Sequence, residues 1–263
     1  MFPGNSSLQN LPLVYDRTLS ACNQVLLLKT PYGVIICNIG SLAAQISYIT
    51  KSNVLGAILV ADDPKLFGKG GVPCPCPVIR SKDASFVLDY AKSNPTPLAS
   101  MAFQLTNLGI TPAPVVASYA SRGPSSSIPS ILKPDIMAPG LLVLGARTPE
   151  LPTAQSKLDV LYSDYNILYG TSVACAHAAG VVALLKGVHP DWSSAAIKSA
   201  IMTTADQFDN TLNPIKDNGN KLQFASPLAM GVGQIFPHQS FDPGLIYDAT
   251  SQDYVNFLIF YAL

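Results

Sequence analysis

Apolar residues fall into short unbroken runs in the first hundred positions of this chain and into longer, helix-spaced stretches in the second half. Residues 25–29 (VLLLK), 33–38 (GVIICN) and 56–63 (GAILVADD) are runs of strand length and predict buried β-strands. Between them, residues 41–52 (SLAAQISYITKS) carry helical spacing. Residues 77–80 (PVIR) predict a short strand, and residues 81–93 (SKDASFVLDYAKS) a helix capped by Ser81, with Asp83 in its first turn. The run FGKGGVPCPCP is crowded with Gly and Pro and predicts a loop. This alternation predicts a small α/β module over roughly residues 10–95, closed at the punctuated stretch 93–97 (SNPTP).

Beyond that boundary, LASMAFQLT and PVVASYAS predict strands, and SRGPSSSIPSILKPDIMAPG is too broken by Pro, Ser and Gly for regular structure. Residues 141–146 (LLVLGA) predict a buried strand, and residues 147–166 an exposed excursion. Residues 172–187 (SVACAHAAGVVALLKG) are apolar nearly all round, which predicts a helix central to a layered fold. Residues 193–205 predict a second helix, capped by Asp191 or Ser193 after Pro190. The remainder is loop-rich and ends in the apolar DYVNFLIFYAL, which reads as lacking partner surface.

Composition narrows the function classes. Lys+Arg and Asp+Glu number 16 each, and no basic stripe is visible, so neither nucleic acid nor an anionic membrane is favoured. Charged residues make up only 12% against 48% hydrophobic, a balance more typical of secreted proteins. No basic segment followed by an apolar core opens the sequence, and no apolar run reaches bilayer length by inspection, so neither a signal peptide nor a membrane span is expected. The triplet Asn5-Ser6-Ser7 is a glycosylation acceptor if the protein is secreted. Five cysteines do not define a disulfide framework; Cys74 and Cys76 are too close for an ordinary bridge, and all five are expected to be free thiols. No zinc-like spacing follows Cys74 and Cys76, and no phosphate cradle or metal-ligand set accompanies Asp62 and Asp63, so no metal or cofactor is expected.

The one position with a chemical shape is Gly170-Thr171-Ser172, opening the apolar helix. A hydroxyl there lies beside free backbone N–H groups at the positive end of the helix dipole, which favours a developing oxyanion. The bland alternative is a Ser N-cap. His177 is five residues on, about 140° around the helix, and is poorly placed as a base. His189 and His238 have no recognisable orienting carboxylate. Ser130 and Lys133 match the start of a Ser–Lys hydrolase signature, but its companion motifs are missing.

The segment GTSVACAHAAGVVALLKGVHPDWSSAAIKSAIMTTA resembles the nucleophile region of plant subtilisin-like serine proteases. APVVASYASRGPSSSIPSILKPDIMAPG resembles that family's strand and substrate-side loop, MGVGQIFPHQSFDPGLIYD its downstream run, and DYVNFL the helix after it. The early α/β module, with YITKSNVLGAILVADD, resembles the protease-associated domain that plant members insert in the catalytic domain.

The resemblance implies an α/β chain. Residues 1–95 would form the protease-associated domain, 96–235 the C-terminal portion of a subtilisin-like parallel-sheet domain, and 236–263 its end, leading towards a fibronectin-like domain. It implies Ser172 as nucleophile, Gly170 and Thr171 shaping its turn, and Ser121, Arg122 and Gly123 beside the substrate cleft. It also implies a polypeptide substrate and an extracellular, cell-wall setting. The family's catalytic Asp and His and its oxyanion Asn have no match here, so the chain alone is expected to be inactive. Val173, Ala176 and Gln234 stand where the family has Met, Pro and His. The competing expectation is a catalytically dead homologue that binds peptide or protein.

Overall fold

The computed structural model describes residues 7–22, 27, 32–62, 74–103, 108–155 and 160–262. The fold is mixed α/β. The chain divides into two compact units: residues 1–108 with 144–167, and residues 109–143 with 168–263.

The first unit is built on a five-stranded sheet. Its strands are β1 (Leu8–Val14), β2 (Val34–Cys37), β3 (Gly56–Val60), β4 (Val78–Ile79) and β5 (Leu98–Met101), with helix α1 (Leu42–Lys51) after β2 and α2 (Ser81–Ser93) after β4. The spatial order is β4-β3-β2-β1-β5; β5 joins antiparallel and the other pairs are parallel. All four residues of β2 are buried, as a parallel strand covered on both faces requires. Its side chains alternate between two cores. Ile35 and Cys37 join Ala57, Leu59 and Ile49 of α1, whereas Val34 and Ile36 join Leu13 and Met101 beneath Val87 and Leu88 of α2.

Both helices lie within a residue of their expected bounds. Ser81, however, is the first helical residue rather than the cap. Arg80 holds the cap position, and the Asp62 carboxylate accepts the Ser81 N–H at 2.9 Å, satisfying a first-turn donor from outside the helix. Strand β1 was not anticipated, and the first unit continues past residue 95 because β5 pairs with β1. The expected strand at 25–29 lies outside the described residues apart from buried Leu27.

The expectation of five free thiols is overturned. Cys22 and Cys37 form a disulfide with Cα atoms 5.6 Å apart, and Cys74 bonds to Cys76 across a single proline. Both bridges sit in the core of the first unit, while Cys175 alone is free and exposed. Spacing along the chain could not reveal the first pair, because its partners are brought together only by folding onto β2.

In the second unit β6 (Val115–Val116) precedes the broken loop of residues 117–142. The chain returns to the first unit over residues 144–167, through β7 (Val143–Ala146), the antiparallel pair β8 (Ala154–Gln155) and β9 (Val160–Leu161), and β10 (Tyr165–Leu168), which pairs with β7, and the second unit resumes at residue 168. Helices α3 (Thr171–Val188) and α4 (Ser194–Thr203) follow, then β11 (Lys216–Asp217) and β12 (Gln223–Phe224), the short helices α5 (Pro227–Met230) and α6 (Pro237–Ser240), and α7 (Ser251–Ala262). Strand β11 pairs parallel with β6 and antiparallel with β12.

Ser193 caps α4 as expected, accepting the Ala196 N–H at 2.9 Å. Val181 and Leu185 of α3 pack on Ile197 and Ile201 of α4, with Ile136 and Ala138 from the loop. Within the described residues helix α3 is covered on one face. Only Val181 and Leu185 are buried, and Val182, Leu184 and Val188 are exposed, because a single face is covered by α4 and the loop. The helix is long and apolar enough by composition to cross a membrane, contrary to the reading by inspection. Its packed stripe of Ala178, Val181 and Leu185 against α4 and the loop is that of an amphipathically packed protein helix.

Candidate active site

Ser172 stands at the second position of α3, not at its cap. Gly170 holds the cap position at φ 137°, ψ 161°, a left-handed-side conformation that L side chains resist. A Cβ there would also lie 3.2 Å from the Ser172 hydroxyl. The Gly170 carbonyl accepts from Val173 and Ala174 N–H, and its own N–H donates to Gly140 at 2.8 Å. The glycine therefore makes the turn and leaves the hydroxyl uncrowded. Ser172 is exposed, and among the described residues neither its hydroxyl nor its N–H has a hydrogen-bond partner. A first-turn N–H left open at the positive end of an 18-residue helix is a ready donor for an oxyanion.

Beside this turn lies a mostly apolar cavity of about 700 Å³. It is lined by Ser121, Arg122 and Gly123, by residues 133–141, and by Gly170, Thr171, Ala174 and Cys175. Ser121, Arg122 and Gly123 are thus brought to one cavity with Gly170 and Thr171, although Ser172 is not itself among its lining residues.

Arg122 is held from behind. Its guanidinium bonds bidentately to Asp217, at 2.5 Å and 3.2 Å, and also donates to the Ala120 carbonyl. Asp217 further accepts the Gly219 N–H at 2.7 Å. The Asp217 side chain is only 6% exposed, so this pair anchors the loop to β11 rather than presenting a free cation. At Gly123 a Cβ would collide with the Lys133 carbonyl at 1.6 Å, so only glycine lets the two stretches of loop run this close. Asn5 lies outside the described residues, as does Asp63.

None of the three histidines hydrogen-bonds Ser172. The His177 ring Nδ1 contacts the Val173 carbonyl at 3.0 Å, one turn back along its own helix. His189 stacks on Trp192 and contacts the Phe241 carbonyl, and His238 is exposed on α6. Lys133 donates to Asp135 at 2.6 Å and so is not paired with Ser130. No group of three or more metal-ligating side chains occurs among the described residues.

Two ionisations near the site are shifted. Burial raises the pKa of the Tyr119 phenol, helped by neighbouring Tyr169 and opposed by the Gly170 backbone. Burial works against the Asp135 charge, but Lys133 and Lys198 outweigh it and hold the carboxyl below its ordinary value. Tyr119, which lines the cavity, and Tyr169, set edge to face against it with centroids 5.7 Å apart, were passed over by motif reading. The only signal was their place, one just ahead of Ser121-Arg122-Gly123 and the other just ahead of Gly170.

The model of the subtilase family (peptidase S8) matches residues 39–230. Subtilisin-like protease SBT3 of Solanum lycopersicum is 44% identical over 98% of this chain and 35% of its own length. Subtilisin-like protease SBT1.6 of Arabidopsis thaliana is 37% identical over 98% of the chain and 33% of its own length. The chain therefore spans about a third of the length of the curated relatives it matches.

Proposed function

The chain belongs to the subtilase family, and from that premise we propose that it is the nucleophile-bearing part of a subtilisin-like serine endopeptidase, with Ser172 as the attacking hydroxyl. In this reading the Ser172 Oγ adds to a peptide carbonyl while a base takes its proton. The Ser172 N–H holds the resulting oxyanion, the base returns its proton to the departing amine as the C–N bond breaks, and water hydrolyses the acyl-enzyme. Gly170 and Thr171 shape the turn, and Ser121, Arg122 and Gly123 border the polypeptide substrate. The observation that carries the proposal is the glycine-made turn that leaves the Ser172 hydroxyl and N–H exposed and unengaged at a helix start.

The base is the missing element. His177 is turned onto Val173 and His189 onto Phe241, and no segment here matches the family's catalytic Asp, His or oxyanion Asn. We read those groups as supplied by other segments of a longer polypeptide, and this chain by itself as catalytically silent. We further read residues 1–95 as the protease-associated domain, supported by the parallel strands β1 to β4 and the two helices packed on them, with β5 pairing onto β1 just beyond that bound. Residues 96–235 are read as catalytic-domain sequence and 236–263 as its end. The extracellular, cell-wall setting is supported by two disulfides in that unit, which persist in oxidising compartments.

The test is a fluorescent fluorophosphonate applied to the folded chain, with Ser172→Ala as control. No labelling is expected. Labelling that disappears in Ser172→Ala would overturn the silence and show that a base lies within these residues. A second reading, a dead homologue that binds peptide or a partner protein, draws on the same self-contained first unit; peptide affinity untouched by Ser172→Ala would favour it.

A further inference from the structure

The turn before Ser172 is held by more than its glycine. The Gly140 carbonyl accepts two hydrogen bonds at once, from the Tyr119 hydroxyl at 2.5 Å and from the Gly170 N–H at 2.8 Å. A carbonyl oxygen has two lone pairs, so it can hold both donors at once. Tyr119 in turn is braced by Tyr169, whose ring meets it edge to face at 78°. Tyr169 is the residue directly before Gly170, so one aromatic contact and one hydrogen-bonded carbonyl grip both residues that lead into α3.

We propose that Tyr119 is a positioning residue for the nucleophile turn: its hydroxyl fixes the Gly140 carbonyl, which fixes Gly170 and so sets where the Ser172 side chain and N–H point. The inference rests on the reading of Ser172 as the nucleophile. The Tyr119 side chain acts through its oxygen rather than through the bulk of its ring, and the effect is local to residues 170–174. Burial keeps the phenol protonated, and therefore a donor, well beyond neutral pH.

The experiment is site-resolved amide hydrogen exchange on the full chain, comparing wild type, Tyr119→Phe, Tyr169→Phe and Tyr169→Leu, each with its melting temperature. Tyr119→Phe keeps the ring and loses only the donor. It is expected to speed exchange at Gly170, Val173 and Ala174 about tenfold, the consequence of losing one hydrogen bond. Exchange at Ile197, in the capped start of α4, should stay unchanged. Tyr169→Phe should match wild type, and Tyr169→Leu, which removes the brace, should loosen the same three amides.

Unchanged exchange at Gly170 in Tyr119→Phe would overturn the proposal by showing that the ring alone suffices. Equal acceleration at Gly170 and Ile197 would overturn it as well, by showing a global loss of stability. Should Tyr119→Phe fail to fold, Tyr169→Leu decides between local and global loosening. Fluorophosphonate labelling of wild type and Ser172→Ala, run in parallel, tests the nucleophile reading separately. If wild type is labelled, Tyr119→Phe should be labelled about tenfold more slowly.

Discussion

Asp135 illustrates how far one carboxylate can organise a loop that lacks regular structure. Its oxygens take Lys133 at 2.6 Å and Lys198 of α4 at 2.9 Å, tying residues 133–135 to the helix that supports α3. Because the folded carboxyl is held below its ordinary pKa, its contribution is present above the ordinary carboxylate range and is lost as pH falls through the lowered value. Both lysines are about half exposed, so the contribution is about 1 kcal/mol or less. Urea unfolding of wild type and Asp135→Asn should therefore differ at neutral pH and converge in acid; a gap that widens in acid would contradict this account. None of this was legible beforehand, since the pairing of Asp135 with Lys198 spans 63 positions. Ser172 could be put forward from the sequence because the features that single it out, Gly170 and the helix start, are its neighbours in the chain. Tyr119, Asp217 and Gly140 act across the fold and left no local trace.

Elements whose stabilising contacts repeat within a few residues were readable from spacing alone. Helices α1, α2 and α4 fell within a few residues of their expected ends, and the Ser193 cap was visible as a polar residue ahead of an apolar run. Strand β1 was missed because Gln9, Asn10 and Pro12 interrupt its apolar pattern. Helix α3 was placed correctly, and its surroundings are met on one face among the described residues. An all-round apolar helix implies cover on every face, and the described residues cover one. Two neighbours on α3 make this measurable: Leu185 is fully buried against α4 and Leu184 is 57% exposed. Leu185→Ala should cost about 2–5 kcal/mol in chemical denaturation. Leu184→Glu should leave stability within about 0.5 kcal/mol and lower the binding of a hydrophobic dye. A large loss from Leu184→Glu would mean that the outer face of α3 is covered after all.

At the scale of the whole chain, the two units differ in what holds them. The first has a sheet with a hydrophobic cluster on each face and both disulfides, and the second has smaller clusters around α3, α4 and β6, with only the free thiol of Cys175. Cys22–Cys37 closes a loop of sequence separation 15, which restricts the unfolded chain by about 3 kcal/mol. Cys74–Cys76 spans two positions and restricts it far less. Replacing Cys22 and Cys37 together by Ser should therefore lower the melting of the first unit by roughly 10 °C or more and leave the second unit's transition in place. Calorimetry reads this as one peak moving away from another, with Cys175→Ser as the control that moves neither. Two peaks that shift together would mean that the units melt as one cooperative body. The first unit's stability would then be needed to hold the turn at Ser172 in shape. Independent peaks would instead leave that turn dependent only on α3, α4 and the loop that Arg122 and Asp135 anchor, as the contacts around Gly140 and Gly170 indicate.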